Sequence, residues 1–268
     1  MKKTFNVGYY ERVRKNHITP LIPANRKYVL FPNDNAVSSS LIQGWVYEPY
    51  MFQFISDNLI DLNGTDIADV GANNGHFAIE FGHYVGDNGR VFAFEPQRII
   101  YQQLCGNIFL NGLDNIYAYN SAIGKENGVI QIERPDYFNQ GNVNFGDVHV
   151  TNSQQSNVDV IQLLKLDEVN FNELSLIKID VQGFETYVIE GAKETIQKHR
   201  PFIFVEIEEE QLEKYGFSEG DLIKQIEELN YTVKRFQVGI PYQTRSGVCL
   251  DCVCIPNEKF ESQDWIIK

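Results

Sequence analysis

The sequence predicts an α/β fold in which strands and helices alternate around one mostly parallel sheet. Three observations predict it. A short apolar run at 67–70 leads into a glycine-rich turn and then into helix-compatible residues. A second strand-like run, 91–94, ends in a carboxylate, and two later runs, 176–179 and 201–205, also lead directly into Asp or Glu. In open sheets of this kind, ligands bind at the carboxyl ends of the strands.

Residues 1–60 are predicted to form an N-terminal extension that caps this edge, ahead of one larger domain at 61–268. Four prolines, at positions 20, 23, 32 and 49, argue against long helices before residue 50. From 50 to 60 the apolar residues recur at helical spacing, and Pro49 suits the first position of that helix.

The turn after the first predicted strand, Asp69-Val-Gly-Ala-Asn-Asn-Gly75, is the most informative stretch. Its spacing is Gly-x-x-x-Gly, so it lacks the middle glycine of a dinucleotide-binding Gly-x-Gly-x-x-Gly loop. We therefore expect a ligand without phosphates, held by the turn residues Gly71, Ala72, Asn73, Asn74 and Gly75. Asp69 adds a carboxylate suited to a cationic amino group, and S-adenosylmethionine has such a group. The turn predicts this cofactor.

A second cofactor contact is predicted at Glu95, which follows the strand-like run 91–94. An acidic residue about 20 positions past such a turn can accept hydrogen bonds from ribose hydroxyls. Pro96 ends the strand and, like Glu95, is placed in the cofactor site.

The middle of the chain supplies the adenine end of the predicted site. Residues 97–110 are predicted as a helix and 116–122 as the third strand. Ser121 and Ala122, at the end of that strand, are small enough for an adenine ring to lie against the backbone. A further strand is expected at 128–133, and the long polar loop 135–156 is expected to lie over the carboxyl ends of the strands.

Two carboxylates after later strands are the main catalytic candidates. The apolar run at 176–179 delivers Asp180 to the same edge as Asp69, and Gly183 opens a helix expected to reach His199. The fifth strand, at 201–205, delivers Glu206 to the same rim. Asp180 is also placed among the residues that bind the cofactor.

The C-terminal part is predicted to contain a helix at 218–229, which begins with the capping box Ser218-Glu-Gly-Asp221. Strands at 231–238 and 248–255 are then expected to form an antiparallel hairpin. Cys249, Cys252 and Cys254 lie close together in that last strand. We predict no zinc there, because a closed site needs four ligands and a strand interior is an ordinary place for cysteine.

Several of these motifs together resemble the FkbM family of S-adenosylmethionine-dependent methyltransferases. The resemblance covers residues 48–256, and its blocks are Asp69-Val-Gly-Ala-Asn-Asn-Gly75, Phe94-Glu95-Pro96, Asn111-Gly-Leu113 and Ile177-Lys-Ile-Asp-Val-Gln-Gly-Phe-Glu185. It implies a seven-stranded, Rossmann-like class I methyltransferase fold, to which the N-terminal cap segment predicted above is added. It also implies methyl transfer to oxygen, on a sugar or polyketide-type hydroxyl.

The same resemblance bears on two single positions. Glu48-Pro49 matches a Glu-Pro block that precedes the glycine turn in the family, so Glu48 is placed in the cofactor site. Many relatives have Glu where Gln182 stands, so we assign no acid–base role to residue 182.

Composition limits the partners. The chain has 268 residues and a formal net charge of −13, which argues against nucleic acid because such binding depends on Lys and Arg. No apolar run reaches the roughly 18 residues of a membrane span, and the N-terminus lacks a signal-peptide pattern. Cytoplasmic residence is the expectation, while the oligomeric state is left open.

The predicted function is transfer of a methyl group from S-adenosylmethionine to a hydroxyl of a carbohydrate or another small acceptor. Removal of the hydroxyl proton needs a base, for which Asp180 and Glu206 are the first candidates and His149, in the polar loop, is the third. Three alternatives stay open: a ribose 2′-O-methyltransferase of nucleic acid, a dinucleotide-dependent oxidoreductase, and a non-catalytic nucleotide-binding module of the same fold.

Overall fold

The computed structural model describes residues 8–11, 26–58, 60–137, 144–150, 157–237 and 250–267. In the N-terminal segment, strands β1 (Gly8–Glu11) and β2 (Lys27–Leu30) pair as a small antiparallel sheet. Helix α1 (Val37–Ile42) has six residues, and α2 (Pro49–Asp57) begins at the proline that the sequence placed there. The predicted helix at 50–60 is therefore confirmed.

The first half of the main sheet alternates strands and helices as predicted. Strand β3 (Asp66–Val70) leads through the glycine turn into α3 (His76–Val85), β4 (Arg90–Phe94) leads into α4 (Arg98–Leu110), and β5 (Ile116–Tyr119) follows. These three strands pair in parallel, with β3 next to β4 and β4 next to β5.

The predicted third strand, 116–122, is wrong in one respect because the chain leaves the main sheet at Asn120. Strand β6 (Ser121–Ile123) belongs instead to a second sheet, with β7 (Gly128–Glu133) and β8 (Val158–Leu164). The side-chain amide of Asn120 donates to the backbone carbonyls of Glu95 and Pro96, both at 2.9 Å, which holds the break in place. Strand β7 was predicted, whereas β8 was not.

The second half returns to the main sheet through β9 (Leu174–Ile179), helices α5 (Glu185–Glu190) and α6 (Lys193–His199), and β10 (Phe202–Glu206). The single helix expected from Gly183 to His199 is thus two helices. They separate at Gly191, where a Cβ would lie 1.9 Å from the carbonyl oxygen of Gly124.

The C-terminal elements are α7 (Glu209–Leu212), α8 (Glu219–Glu227), β11 (Tyr231–Arg235), β12 (Asp251–Pro256) and α9 (Asn257–Phe260). The capping box of α8 is confirmed, since Ser218 and Asp221 exchange side-chain and backbone hydrogen bonds. The antiparallel hairpin of β11 and β12 is also confirmed.

The main sheet has seven strands in the order β11-β12-β10-β9-β3-β4-β5. All neighbouring pairs are parallel except those made by β12. The chain builds outward from β3 to β5 and then crosses back to β9, so the strand order reverses between β3 and β9. A crevice forms at the carboxyl ends of the strands at such a reversal, and ligands bind there.

The core lies on both faces of this sheet, since successive residues of β3, β9 and β10, which point to opposite faces, are nearly all buried. Helix α2 belongs to the same core, because Phe52 stacks on Phe77 of α3 and Phe54 packs edge-on against Phe204 of β10. The division into an extension and a domain at residue 60 stays a prediction. No helix in the described ranges is long and apolar enough to cross a membrane.

Candidate active site

The glycine turn is shaped by close backbone contact with the neighbouring strand. Gly71 and Gly75 have φ values of +82° and +88°, which residues with a Cβ adopt only with strain. A Cβ on Gly71 would lie 1.9 Å from the carbonyl oxygen of Asp180. The turn can therefore sit directly against the end of β9 only because residue 71 is glycine.

The backbone N–H groups of residues 71–76 all donate within the protein. The acceptors are Phe94 O for residues 71 and 72 (both 3.0 Å), Glu95 Oε2 for Asn73 (2.9 Å), Asn73 Oδ1 for Asn74 (2.7 Å), Ala72 O for Gly75 (2.9 Å) and Asn74 Oδ1 for His76 (3.1 Å). In phosphate-binding turns these N–H groups point at the ligand. Here the Glu95 carboxylate takes the place that a phosphate would occupy at Asn73.

Glu95 is buried at the end of β4 and bridges the turn to the next segment. Its Oε2 accepts from Asn73 N–H, and its Oε1 accepts from Gln97 N–H at 2.8 Å. Burial raises the pKa of Glu95 to about 7, against the lowering effect of these two N–H groups. The carboxylate is therefore fixed in position before any ligand binds.

A cavity of about 320 Å³ lies over the carboxyl ends of β3, β4, β9 and β10. Eight of the predicted site residues line it: Gly71, Asn73, Glu95, Pro96, Ser121, Ala122, Asp180 and Glu206. Six others do not line it: Glu48, Asp69, Ala72, Asn74, Gly75 and His149. The cavity is completed by the segment 144–150 of the predicted polar loop, by β7 and by Tyr47.

Ser121, which the sequence predicts for the adenine end of the site, lines the cavity at the point where β6 begins. Its side chain is buried, and its Oγ has no hydrogen-bond partner among the described residues. A buried hydroxyl without a partner costs free energy, so it indicates a ligand that completes the bond.

Asp69 lies one layer behind the cavity wall, fully buried, with neither carboxylate oxygen in a close hydrogen bond. Burial raises its pKa to about 6, although the Lys178 ammonium, 3.8 Å from Oδ1, and the Ala78 amide act in the opposite direction. It contributes negative charge to the floor of the site.

Lys178 is a site residue that the sequence reasoning missed. Its ammonium lies 3.4 Å from Asp180 Oδ2, 3.8 Å from Asp69 Oδ1, 3.5 Å from the carbonyl oxygen of Gly71, and 5.0 Å from the centroid of the Phe77 ring. Burial lowers its pKa, but the neighbouring carboxylates, Asp180 first, outweigh burial and place the pKa above its ordinary value. A lysine inside an otherwise apolar strand was the available signal.

Gln182 joins the two catalytic candidates. Its amide nitrogen donates to Asp180 Oδ1 at 3.0 Å and to Glu206 Oε2 at 3.1 Å, and its φ of +55° is unusual for a residue with a side chain. Burial raises the pKa of Glu206 well above its ordinary value, and the nearby carboxylates, Asp180 first, add to this effect. Asp180 and Glu206 therefore lie side by side in the cavity wall.

Two more carboxylates stand behind this pair. Asp251, at the start of β12, is paired in register with Glu206 and accepts a 2.5 Å hydrogen bond from the Tyr50 hydroxyl. Burial raises its pKa to about 6. Glu48, at the N-terminus of α2, has a φ of +45°, and burial followed by Asp251 raises its pKa well above the ordinary value. Nothing in the local sequence singled out Asp251.

His149 lies in the loop over the cavity but is directed toward α7. Its Nε2 is 2.7 Å from Gln211 Oε1 and 2.8 Å from Lys214 Nζ, and the Asp147 carboxylate is 3.5 Å away. These contacts fasten the loop to α7. The role of His149 as a third candidate base stays a prediction.

The cysteine prediction is only partly covered, because Cys249 lies outside the described residues. Cys252 and Cys254 are buried on β12. In the described part of the chain, no group of three or more His, Cys, Asp or Glu side chains could hold a metal ion. The absence of zinc stays a prediction.

Residues 69–233 match the family described as the methyltransferase FkbM domain. The chain is 28% identical over 160 residues to the 2-O-methyltransferase NoeI of Sinorhizobium fredii, a match over 54% of this chain and 64% of NoeI. It thus spans less than two thirds of that relative. A solved methyltransferase FkbM from Methylobacillus flagellatus matches at a TM-score of 0.50 and 19% identity, over 78% of this chain and 48% of that one.

The strand order, the glycine turn and the acidic residues at the strand ends correspond to the Rossmann-like, class I methyltransferase fold. Within that class, the chain belongs to the FkbM family of S-adenosylmethionine-dependent methyltransferases.

Proposed function

We propose that this enzyme transfers the methyl group of S-adenosylmethionine to a hydroxyl of a carbohydrate or another small acceptor. The observation that carries the proposal is the pair Asp180 and Glu206, joined by Gln182, in the wall of a cavity whose other end holds the predicted cofactor residues. The match to NoeI, a 2-O-methyltransferase, supports oxygen as the atom that is methylated.

The residues of the cavity fit this cofactor, which supplies a methyl group on a positively charged sulfur. Glu95 offers carboxylate oxygens at the turn, and the buried Ser121 Oγ lacks a partner. On the other side of the turn, the described residues include several buried carboxyl groups but only one buried ammonium, that of Lys178. This excess of carboxyl groups suits a ligand with cationic groups. Asp69 and Glu48 would act through charge from behind the wall.

The oxidoreductase alternative is disfavoured by the turn. A pyrophosphate needs free N–H groups at the start of the helix, and those of residues 71–76 are all taken. Calorimetry with S-adenosylmethionine and with NAD separates the two. We expect binding of the first and none of the second, and the reverse result would refute the assignment.

The proposed roles of the two carboxylates differ. A base works best when its pKa is close to the working pH, and burial, together with the Asp180 carboxylate, shifts the pKa of Glu206 upward from its ordinary value, in the direction of that pH. Asp180, held by Lys178 and Gln182, is placed to orient the acceptor hydroxyl, and we expect transfer to depend on it most.

Turnover of matched variants tests these roles, with labelled cofactor and a panel of hydroxylated sugars analysed by mass spectrometry. We expect Asp180→Asn and Glu206→Gln each to lower turnover by roughly 10²–10⁴. Glu210→Gln, an exposed neighbour outside the cavity, should leave it unchanged. In addition, Glu206→Gln should flatten the rise of kcat/KM with pH.

Activity retained in both variants would remove the pair from the chemistry and make His149 the next residue to test. Cofactor binding without turnover on any acceptor would instead favour the non-catalytic module.

A further inference from the structure

The wall of the cavity has an unusual charge composition. Five carboxylates line it: Glu95, Asp147, Asp180, Glu206 and Glu208. Among the described residues of the wall there is no Lys, Arg or His. The other polar groups are mainly side-chain amides, which bind hydroxyls without requiring a charge on the ligand.

The cations near the cavity are already engaged. The Lys178 ammonium lies behind the wall between Asp69 and Asp180, and only 3% of its side chain is exposed. Lys214, beside the loop, donates to Gln211 Oε1 at 2.6 Å and contacts His149. Arg235 pairs with Glu219. Among the described residues, the wall around Asp180 and Glu206 thus offers no cation of its own to pair with an anionic group of the acceptor.

The backbone N–H groups of the glycine turn provide no binding site for an anion either. The N–H groups of the glycine turn are used within the protein, and Glu95 occupies the place at Asn73 where an anion would bind. The unpartnered Oγ of Ser121 independently marks the cavity as a ligand site. The cavity is therefore a ligand site, and the wall around Asp180 and Glu206 holds no described cation for an anionic group of the acceptor.

We propose that the acceptor carries no anionic group, and that it is a neutral or amine-bearing polyhydroxyl compound. This inference rests on the proposed function. Like charges at close range repel, so a phosphate, a uronic acid carboxylate or a nucleic-acid backbone is disfavoured even where its hydroxyl could reach Asp180 and Glu206. Amines and neutral hydroxyls can instead donate hydrogen bonds to the carboxylates.

The test uses S-adenosylmethionine labelled in its methyl group and a small-molecule extract of the cells that make the protein. Labelled products are passed through an anion exchanger at pH 7. We expect the label in the unretained fraction, and we expect no loss of incorporation when the extract is first treated with alkaline phosphatase. Label held by the exchanger, or a phosphatase treatment that lowers incorporation more than ten-fold, would overturn the inference.

A matched set of defined acceptors sharpens the result: methyl glucoside, glucosamine, glucose 6-phosphate and glucuronate. Methylation of either anionic sugar at a rate equal to its neutral counterpart contradicts the inference while leaving the proposed function intact. A complete lack of labelled product, with cofactor binding shown by calorimetry, removes the proposed function and with it this inference.

Discussion

At the scale of single residues, Glu95 combines a structural role with a place in the cavity wall. It ties the glycine turn to the start of α4 through two backbone N–H groups, and it also lines the cavity. Such a residue is held rigidly, so it loses little conformational entropy when it binds a ligand.

Replacement of Glu95 by Gln tests its contribution to cofactor binding. Hydrogen bonds to a charged group contribute roughly 1.5–3 kcal/mol, so the Kd for S-adenosylmethionine should rise by a factor of about 10–150. Calorimetry at pH 8, where wild-type Glu95 is ionised, measures the change. Glu194→Gln, an exposed carboxylate of α6, is the control and should bind as wild type. Unchanged affinity of the Glu95 variant would refute the assignment.

Metal content is the second prediction at this scale. We expect less than about 0.1 zinc per chain in protein purified without chelator, because a structural site requires a closed set of four ligands. Elemental analysis checks this. Close to one zinc per chain that is lost in Cys252→Ser would show the prediction to be wrong.

At the scale of elements, the glycine turn depends on how closely β3 and β9 approach each other. Gly71→Ala places a Cβ 1.9 Å from the Asp180 carbonyl oxygen, at a φ of +82°. We expect a loss of about 3 kcal/mol or more, or roughly 6–12 °C in Tm, since both backbone strain and a forced backbone shift contribute. Cofactor binding should be lost as well.

The matched control for that variant is Gly106→Ala on α4. A Cβ there meets nothing within 4 Å, and alanine is favoured over glycine in a helix by up to about 1 kcal/mol. Its Tm should therefore stay the same or rise. Thermal unfolding followed by circular dichroism measures both variants, and equal Tm values for the two would contradict the role given to Gly71.

At the scale of the whole molecule, the protein concentrates buried acids at one edge of its sheet. Burial raises the pKa of Asp69 and Asp251 to about 6 and that of Glu95 and Glu185 to about 7. A carboxyl whose pKa is higher in the folded protein than in the unfolded chain binds protons more tightly when folded. Stability therefore falls as the pH rises from the unfolded pKa through the folded one.

Stability of the unliganded protein should accordingly fall between pH 5.5 and 8. His83 opposes this fall in part, because burial lowers its pKa to about 4. The stability that His83 contributes therefore increases as the pH rises toward its pKa in the unfolded chain, near 6.5. To isolate one group, wild type is compared with Glu95→Gln. Between pH 5.5 and 8, the unfolding free energy of wild type should fall by at most about 2 kcal/mol relative to that of the variant.

Chemical denaturation at constant ionic strength measures that shift. A difference between wild type and Glu95→Gln that does not depend on pH would mean that the Glu95 carboxyl titrates as it does in the unfolded chain.

Sequence alone determined the features that depend on neighbouring residues. The glycine turn, the helix that begins at Pro49, the capping box of α8 and the carboxylates after β4, β9 and β10 are all local patterns, and each lies where it was predicted. Local patterns are reliable because backbone conformation and side-chain alternation are set over a few residues. The family followed from the same blocks.

Only the tertiary structure decided which of these groups meet. Lys178 lies between Asp69 and Asp180 because β9 pairs with β3, and Asp251 stands behind Glu206 because β12 pairs with β10. The departure of β6 from the main sheet likewise depends on contacts of Asn120 with residues 95 and 96. Strand order and register join residues that are far apart in the chain, so no local pattern could place these charges together.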